Sequence, residues 1–86
     1  MELHQLAVFT AAAEEGGFSR AARKLFISHS TVCRAVAELE DELGVRLMER
    51  GPHEMSLTPS GETLLAEAKK LLAAAEEAKE KVRASQ

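Results

Sequence analysis

Cysteine occurs once in these 86 residues, at Cys33. No intramolecular disulfide can form, and the three scattered histidines give the thiol no zinc-binding spacing, so neither metal nor cofactor is expected. Proline and glycine are few, at 2 and 5. No apolar run approaches the roughly 18 to 20 residues of a membrane span, and Met1 leads into an amphipathic segment that lacks a signal-peptide pattern. These absences point to a soluble, cytoplasmic chain with no membrane partner. There is also no convincing carboxylate pair, no nucleophile with a base, and no phosphate-cradling glycine loop, since Gly16-Gly17 is too short for one. An enzyme is the least expected class.

An excess of positive charge is missing too. The net charge is −3, which by itself argues against a nucleic-acid partner. Its distribution says more than its sum. From Phe18 to Ala37 stand Arg20, Arg23, Lys24 and Arg34 with no acid at all, whereas residues 1–17 carry −3, residues 38–50 another −3, and the tail from Ser60 is neutral. One segment is positive in an otherwise acidic chain, an arrangement that allows DNA binding on one face and disfavours loose association elsewhere.

That segment is also the structural centre. Phe18 to Gly44 reads as two helices and a tight turn: Ser19 caps a first helix with Ala21, Ala22 and Leu25 on one side, and Ser28 caps a second with Val32, Val36, Leu39 and Leu43 on one stripe. Phe26 and Ile27, apolar, are expected to pin the turn to the core. On the second helix Ser30, Arg34 and Ala37 fall opposite the stripe, with His29 and Cys33 on a flank. This is the layout of a DNA-binding helix-turn-helix, whose second helix enters the major groove. Arg34 reads either as a groove contact or as an ordinary solvated arginine.

Before this pair, Glu2 to Glu15 forms a helix with Leu3, Leu6, Phe9 and Ala13 inward, ended by Gly16-Gly17. After Gly44, the alternation of Val45, Arg46 and Leu47 predicts a short strand from Val45 to Arg50, a turn over Gly51-Pro52-His53-Glu54, and a second strand at Met55-Ser56-Leu57. Such a hairpin is a wing, and Arg50 and His53 become candidate phosphate contacts. Thr58-Pro59 then starts a helix that runs to about Ala84, some 26 residues and roughly 39 Å long. Leu64, Ala68, Leu71, Ala75, Ala78 and Val82 repeat along it, widened by Leu65 and Leu72. A small domain cannot cover that stripe, so it is expected to be the seam of a homodimer. The division expected is a winged helix-turn-helix over residues 1–58 and a dimerisation helix over 59–86. The competing reading is a winged-helix protein-interaction module that assembles through the same seam, suggested by the acidic net charge.

These residues together resemble the DNA-binding domain and linker helix of a LysR-type transcriptional regulator. The resemblance rests on Leu3, Leu6 and Phe9; Phe18-Ser19, Ala21-Ala22 and Leu25; Ser28, Val32, Val36, Leu39-Glu40, Leu43-Gly44, Leu47 and Arg50; then Leu57-Thr58 and Gly61, in joint order and spacing. It implies a mainly α winged helix-turn-helix of three helices and a two-stranded wing, followed by a long linker helix, dimerising through that helix on a pseudo-palindromic promoter site. It further implies that His29, Ser30, Cys33 and Arg34 meet bases and phosphates, and that backbone amides near Ser19 and Ser28 meet phosphates. Arg20 and Thr31 complete the set of candidate contacts to double-stranded DNA. Cys33 stands where the family usually has Ser or Thr, and Met48 where it usually has Phe. Family members continue into an effector-binding module of two α/β subdomains, which is expected to be absent from these residues.

Overall fold

The computed structural model describes residues 1–51 and 55–86, and contains α1 (Leu3–Glu15), α2 (Phe18–Leu25), α3 (His29–Leu43), β1 (Met48–Arg50), β2 (Met55–Leu57) and α4 (Pro59–Ala84). The architecture expected from the sequence is the one observed, a mainly helical chain with a two-stranded antiparallel wing. α1 is the hub and touches α2, α3 and α4. Three neighbours bury a wider arc than one stripe, so Val8, Ala11 and Ala12 join Leu6 and Phe9 in the core. Leu3, in the first turn and expected inward, is instead exposed. Gln5 Oε1 accepts the Glu2 amide at 2.9 Å and closes the start of the helix.

α2 and α3 contribute Phe18, Ala21, Ala22, Val32, Ala35, Val36 and Leu39 to the core. The alanines let the helices approach closely, and no buried polar or charged residue interrupts the cluster among the described residues. Leu43, the last position of the predicted α3 stripe, runs past the core and is exposed. The structure departs from the expected turns at Ser19 and Phe26. Ser19 is not the cap of α2; Gly17 holds that position and no side chain caps it. Phe26 does not pin the turn either. It is 94% exposed and closes α2 in the left-handed region, at φ 58°, a conformation that costs a non-glycine residue about 1 to 2 kcal/mol. Ile27 alone packs on the core.

The end of α3 behaves as expected, with Gly44 at φ 69° donating its amide to the Glu40 carbonyl at 2.8 Å. The chain then crosses to the wing in an unexpected way. The strand begins at Met48, not Val45: Val45 is exposed, and Leu47 and Met48 are both buried. The crossing is held mainly by side chains, with one backbone bond beside them. Glu40 Oε2 accepts the amides of Leu47 at 2.8 Å and Met48 at 3.4 Å, the Leu47 carbonyl accepts the Thr58 amide at 3.0 Å, and the Thr58 hydroxyl donates to the Arg46 carbonyl at 2.6 Å. β1 and β2 then pair with Met48 opposite Leu57 and Arg50 opposite Met55.

α4 starts at Thr58, whose Oγ1 accepts the Gly61 amide at 3.0 Å. Its first turns belong to the domain. Gly61, Leu64 and Ala68 are buried, and Leu65 and Leu72 pack against the same cluster. Leu64 and Ala68, expected at a dimer seam, are therefore core residues, because α4 lies along α1 before it leaves the domain. Lys69 reaches Glu14 of α1 at 2.9 Å. The later turns run free with Leu71, Ala78 and Val82 exposed and Ala75 half-buried, which gives the molecule its 51 Å long axis. No helix among the described residues is long and apolar enough to cross a membrane.

Candidate nucleic-acid interface

The N-terminal turn of α3 is organised by hydroxyls. Ser28 Oγ accepts the Thr31 amide at 3.1 Å and lies 2.7 Å from Thr31 Oγ1 and 3.1 Å from Ser30 Oγ. This cap satisfies one orphan amide and leaves those of His29 and Ser30 without a partner among the described residues. Free amides at the positive end of a helix dipole suit an anion. Ser30 and Arg34 are exposed one turn apart. The Arg34 side chain makes no hydrogen bond or ion pair among the described residues, so its guanidinium is free to meet a ligand. Ala37 continues the same open face, small enough for close approach to a surface.

The flank is different. His29 stands edge-on to the Phe18 ring, with centroids 6.1 Å apart at 63°, and its Nδ1 lies 3.5 Å from Cys33 Sγ. Cys33 is half-buried and packs against the core, where it lines a cavity of about 360 Å³ with Phe18, Glu40, Arg46, Met48 and Met55. The thiol thus faces the gap between α3 and the wing, and of the predicted flank His29 is the exposed member. Thr31 is half-buried and spends its hydroxyl on Ser28.

At the start of α2, Ser19 and Arg20 are exposed, and their amides have no partner among the described residues. A Ser19 shifted from cap to first turn keeps its hydroxyl for an outside acceptor. Arg20 leans on the Glu15 carbonyl at 3.5 Å, and Lys24 pairs with Glu15 at 3.3 Å; both contacts are exposed and are easily exchanged for stronger anions. Arg50 ends β1. His53 lies outside the described residues. Sequence reasoning names Glu40 and Gly61 only among the residues that carry the resemblance, and gives no role to Glu40, which holds the wing root, or to Gly61, which approaches the Leu47 carbonyl closely. It marks Thr58 as a cap only. The available signal for Glu40 is its place one helical turn ahead of the helix-ending Gly44, on the side of α3 that carries Val36 and Leu43.

The model of the bacterial regulatory helix-turn-helix protein, lysR family, matches residues 3–62. The chain belongs to that family. Among its LysR relatives, the HTH-type transcriptional regulator TfdS of Cupriavidus pinatubonensis is 47% identical over 72 residues, which are 84% of this chain and 24% of TfdS. This chain therefore spans about a quarter of the length of the curated LysR relatives it matches. Two solved structures superpose over nearly all of it. The CbnR DBD in complex with DNA gives a TM-score of 0.94 at 36% identity, covering 99% of this chain and 98% of that one. The BenM DBD with catB site 1 DNA, BenM being a regulator of Acinetobacter baylyi, gives 0.92 at 37% identity, covering 96% and 92%. Both LysR neighbours are held on DNA in those structures.

Proposed function

We propose that this chain is the DNA-reading module of a bacterial, cytoplasmic LysR-type transcriptional regulator, a binding module and not an enzyme, which recognises a pseudo-palindromic promoter site as a homodimer. The observation that carries the reading is the exposed, acid-free start of α3, where Ser30 and the unpaired Arg34 stand beside free helix amides. On this reading α3 enters the major groove. Arg34 takes a guanine edge or a phosphate, Ser30 and His29 line the groove wall, and the amides and hydroxyls near Ser19 and Ser28 clamp the backbone. Arg20 and the wing with Arg50 and His53 add phosphate contacts. The DNA complexes of the CbnR and BenM domains support this reading over the protein-assembly alternative.

The second copy docks on the part of α4 that the domain leaves open. Leu71, Ala75, Ala78 and Val82 form that surface, with Leu65 and Leu72 at its inner margin. Residues 1–58 and 59–86 divide the labour between reading and pairing, although the first turns of α4 serve both. A mobility-shift titration with duplexes selected from a random pool tests the reading. Arg34→Ala is expected to lose about 1 to 3 kcal/mol of discrimination, and wild-type affinity is expected to fall steeply with salt as counterions are displaced. Unchanged specific binding by Arg34→Ala would remove Arg34 from the groove, and salt-insensitive association would point away from DNA altogether.

A further inference from the structure

We infer that Glu40 is a positioning residue for the wing, fixing where the β1–β2 hairpin stands relative to the DNA-facing turns of α3; the inference rests on the DNA reading proposed above. One residue serves as acceptor for almost the whole crossing between the two. The Glu40 carbonyl accepts the amides of Gly44 at 2.8 Å and Val45 at 3.3 Å, and its carboxylate accepts those of Leu47 at 2.8 Å and Met48 at 3.4 Å. From Gly44 to Met48, only the Arg46 amide does not donate to Glu40. The crossing has no ladder of its own before Met48, so the carboxylate substitutes for one, with charge-assisted bonds stronger than neutral pairs. The far root of the hairpin is tied to the same segment, through the Thr58 amide on the Leu47 carbonyl and the Thr58 hydroxyl on the Arg46 carbonyl.

Glu40 and the DNA-facing Ser30 and Arg34 ride on one helix. A carboxylate that grips the wing root from that helix transmits the helix's placement in the groove to the hairpin, and so sets which phosphates the wing meets. Charge alone predicts the opposite of this role. Removing an anion near a polyanion should tighten binding, whereas removing a positioning group should weaken it.

The test compares Glu40→Gln, Glu40→Asp and Glu40→Ala on the duplex that the wild-type protein selects from a random pool. Gln keeps an acceptor at the same reach, and Asp keeps the charge but falls one methylene short. Glu40→Gln is expected within about threefold of wild-type affinity, and Glu40→Asp and Glu40→Ala about tenfold weaker. In the latter two, the log K against log salt slope should become shallower by about 0.9 for each phosphate that the wing no longer neutralises. Hydroxyl-radical protection of the backbone should vanish at the outer edges of the site, while protection of groove guanines from N7 methylation persists. In the free protein, the Leu47 and Met48 amides should exchange quickly in Asp and Ala but slowly in wild type and Gln, with Val36 protected throughout. Asp and Ala variants that bind as tightly as wild type with an undiminished footprint overturn this inference alone. A wild-type protein that selects no duplex overturns the DNA reading and this inference with it.

Discussion

Gly61→Ala offers a sharp test of the packing, because two physical effects give opposite signs. Gly61 is buried in the first turn of α4. A Cβ there would overlap the Leu47 carbonyl oxygen, and would lie 3.0 Å from its carbonyl carbon and 3.1 Å from Leu57 Cδ2. The obstacle is backbone, which cannot swing aside as a side chain can. Relief requires α4 to back away from the hairpin root, breaking the Thr58 amide bond to Leu47 and the Thr58 hydroxyl bond to Arg46. Each is worth about 1 kcal/mol, and overpacking adds roughly 1 to 3 kcal/mol. Against this, alanine gains about 1 kcal/mol of helix propensity. The net expectation is a loss of about 3 kcal/mol, a large share of the stability of so small a domain. Thermal unfolding followed by circular dichroism, at fixed protein concentration, should show a Tm lower by roughly 15 °C. Ala74→Gly on the exposed part of the same helix calibrates the propensity effect, with an expected loss of about 1 kcal/mol. A Gly61→Ala protein as stable as wild type, or more so, would falsify the close approach of α4 to the wing root.

Phe26→Asn should stabilise the domain by about 1 kcal/mol in urea unfolding, since asparagine tolerates the left-handed conformation better and an exposed ring gives up little packing; a measurable loss of stability would show that Phe26 contributes contacts the turn geometry does not explain. Leu71→Glu is expected to convert a dimer to a monomer in sedimentation while leaving the helical signal of the domain intact, because Leu71 is exposed. Leu64→Ala, in contrast, should lower Tm whatever the oligomeric state, since a buried leucine truncated to alanine costs about 2 to 5 kcal/mol. A Leu71→Glu protein that remains dimeric would place the seam elsewhere.

The helices were legible because their signals are local. Ser28 and Thr58 act as caps, Gly16 and Gly44 end helices, and the α3 stripe at Val32, Val36 and Leu39 faces inward as its spacing requires. What escaped depends on tertiary neighbours. Alternation at Val45 and Leu47 imitates a strand, yet that segment finds its partners in Glu40 and Thr58, which lie on other elements. Phe26 reads as core by type, but the helix end turns it outward. Cys33 sits on the predicted flank of α3, and only the position of Phe18 and the wing shows that this flank closes on a cavity. Along α4 an unbroken apolar repeat does not reveal where the cover given by its own domain ends. The buried arc of α1, wide enough to take Leu64 and Ala68, decides that boundary.

The burial of Leu64 and Ala68 within the domain bears on the geometry of the proposed dimeric reader. A linker helix free along its whole length could pivot on its own domain, and two recognition helices joined through it would have no fixed separation. Here the first turns of α4 are fastened by Leu64 and Ala68 in the core, by Lys69 on Glu14, and by Thr58 at the wing root. α3 packs on the same α1 that receives α4. In a dimer formed through Leu71 to Val82, the separation of the two α3 helices follows from rigid packing on both sides of the pairing surface. DNA half-sites read by such a pair must recur at a matching distance along the duplex. Inserting a base pair between selected half-sites rotates one by about a tenth of a helical turn and should weaken binding sharply. A reader that tolerated the insertion would require a hinge within α4, which the burial of its first turns opposes.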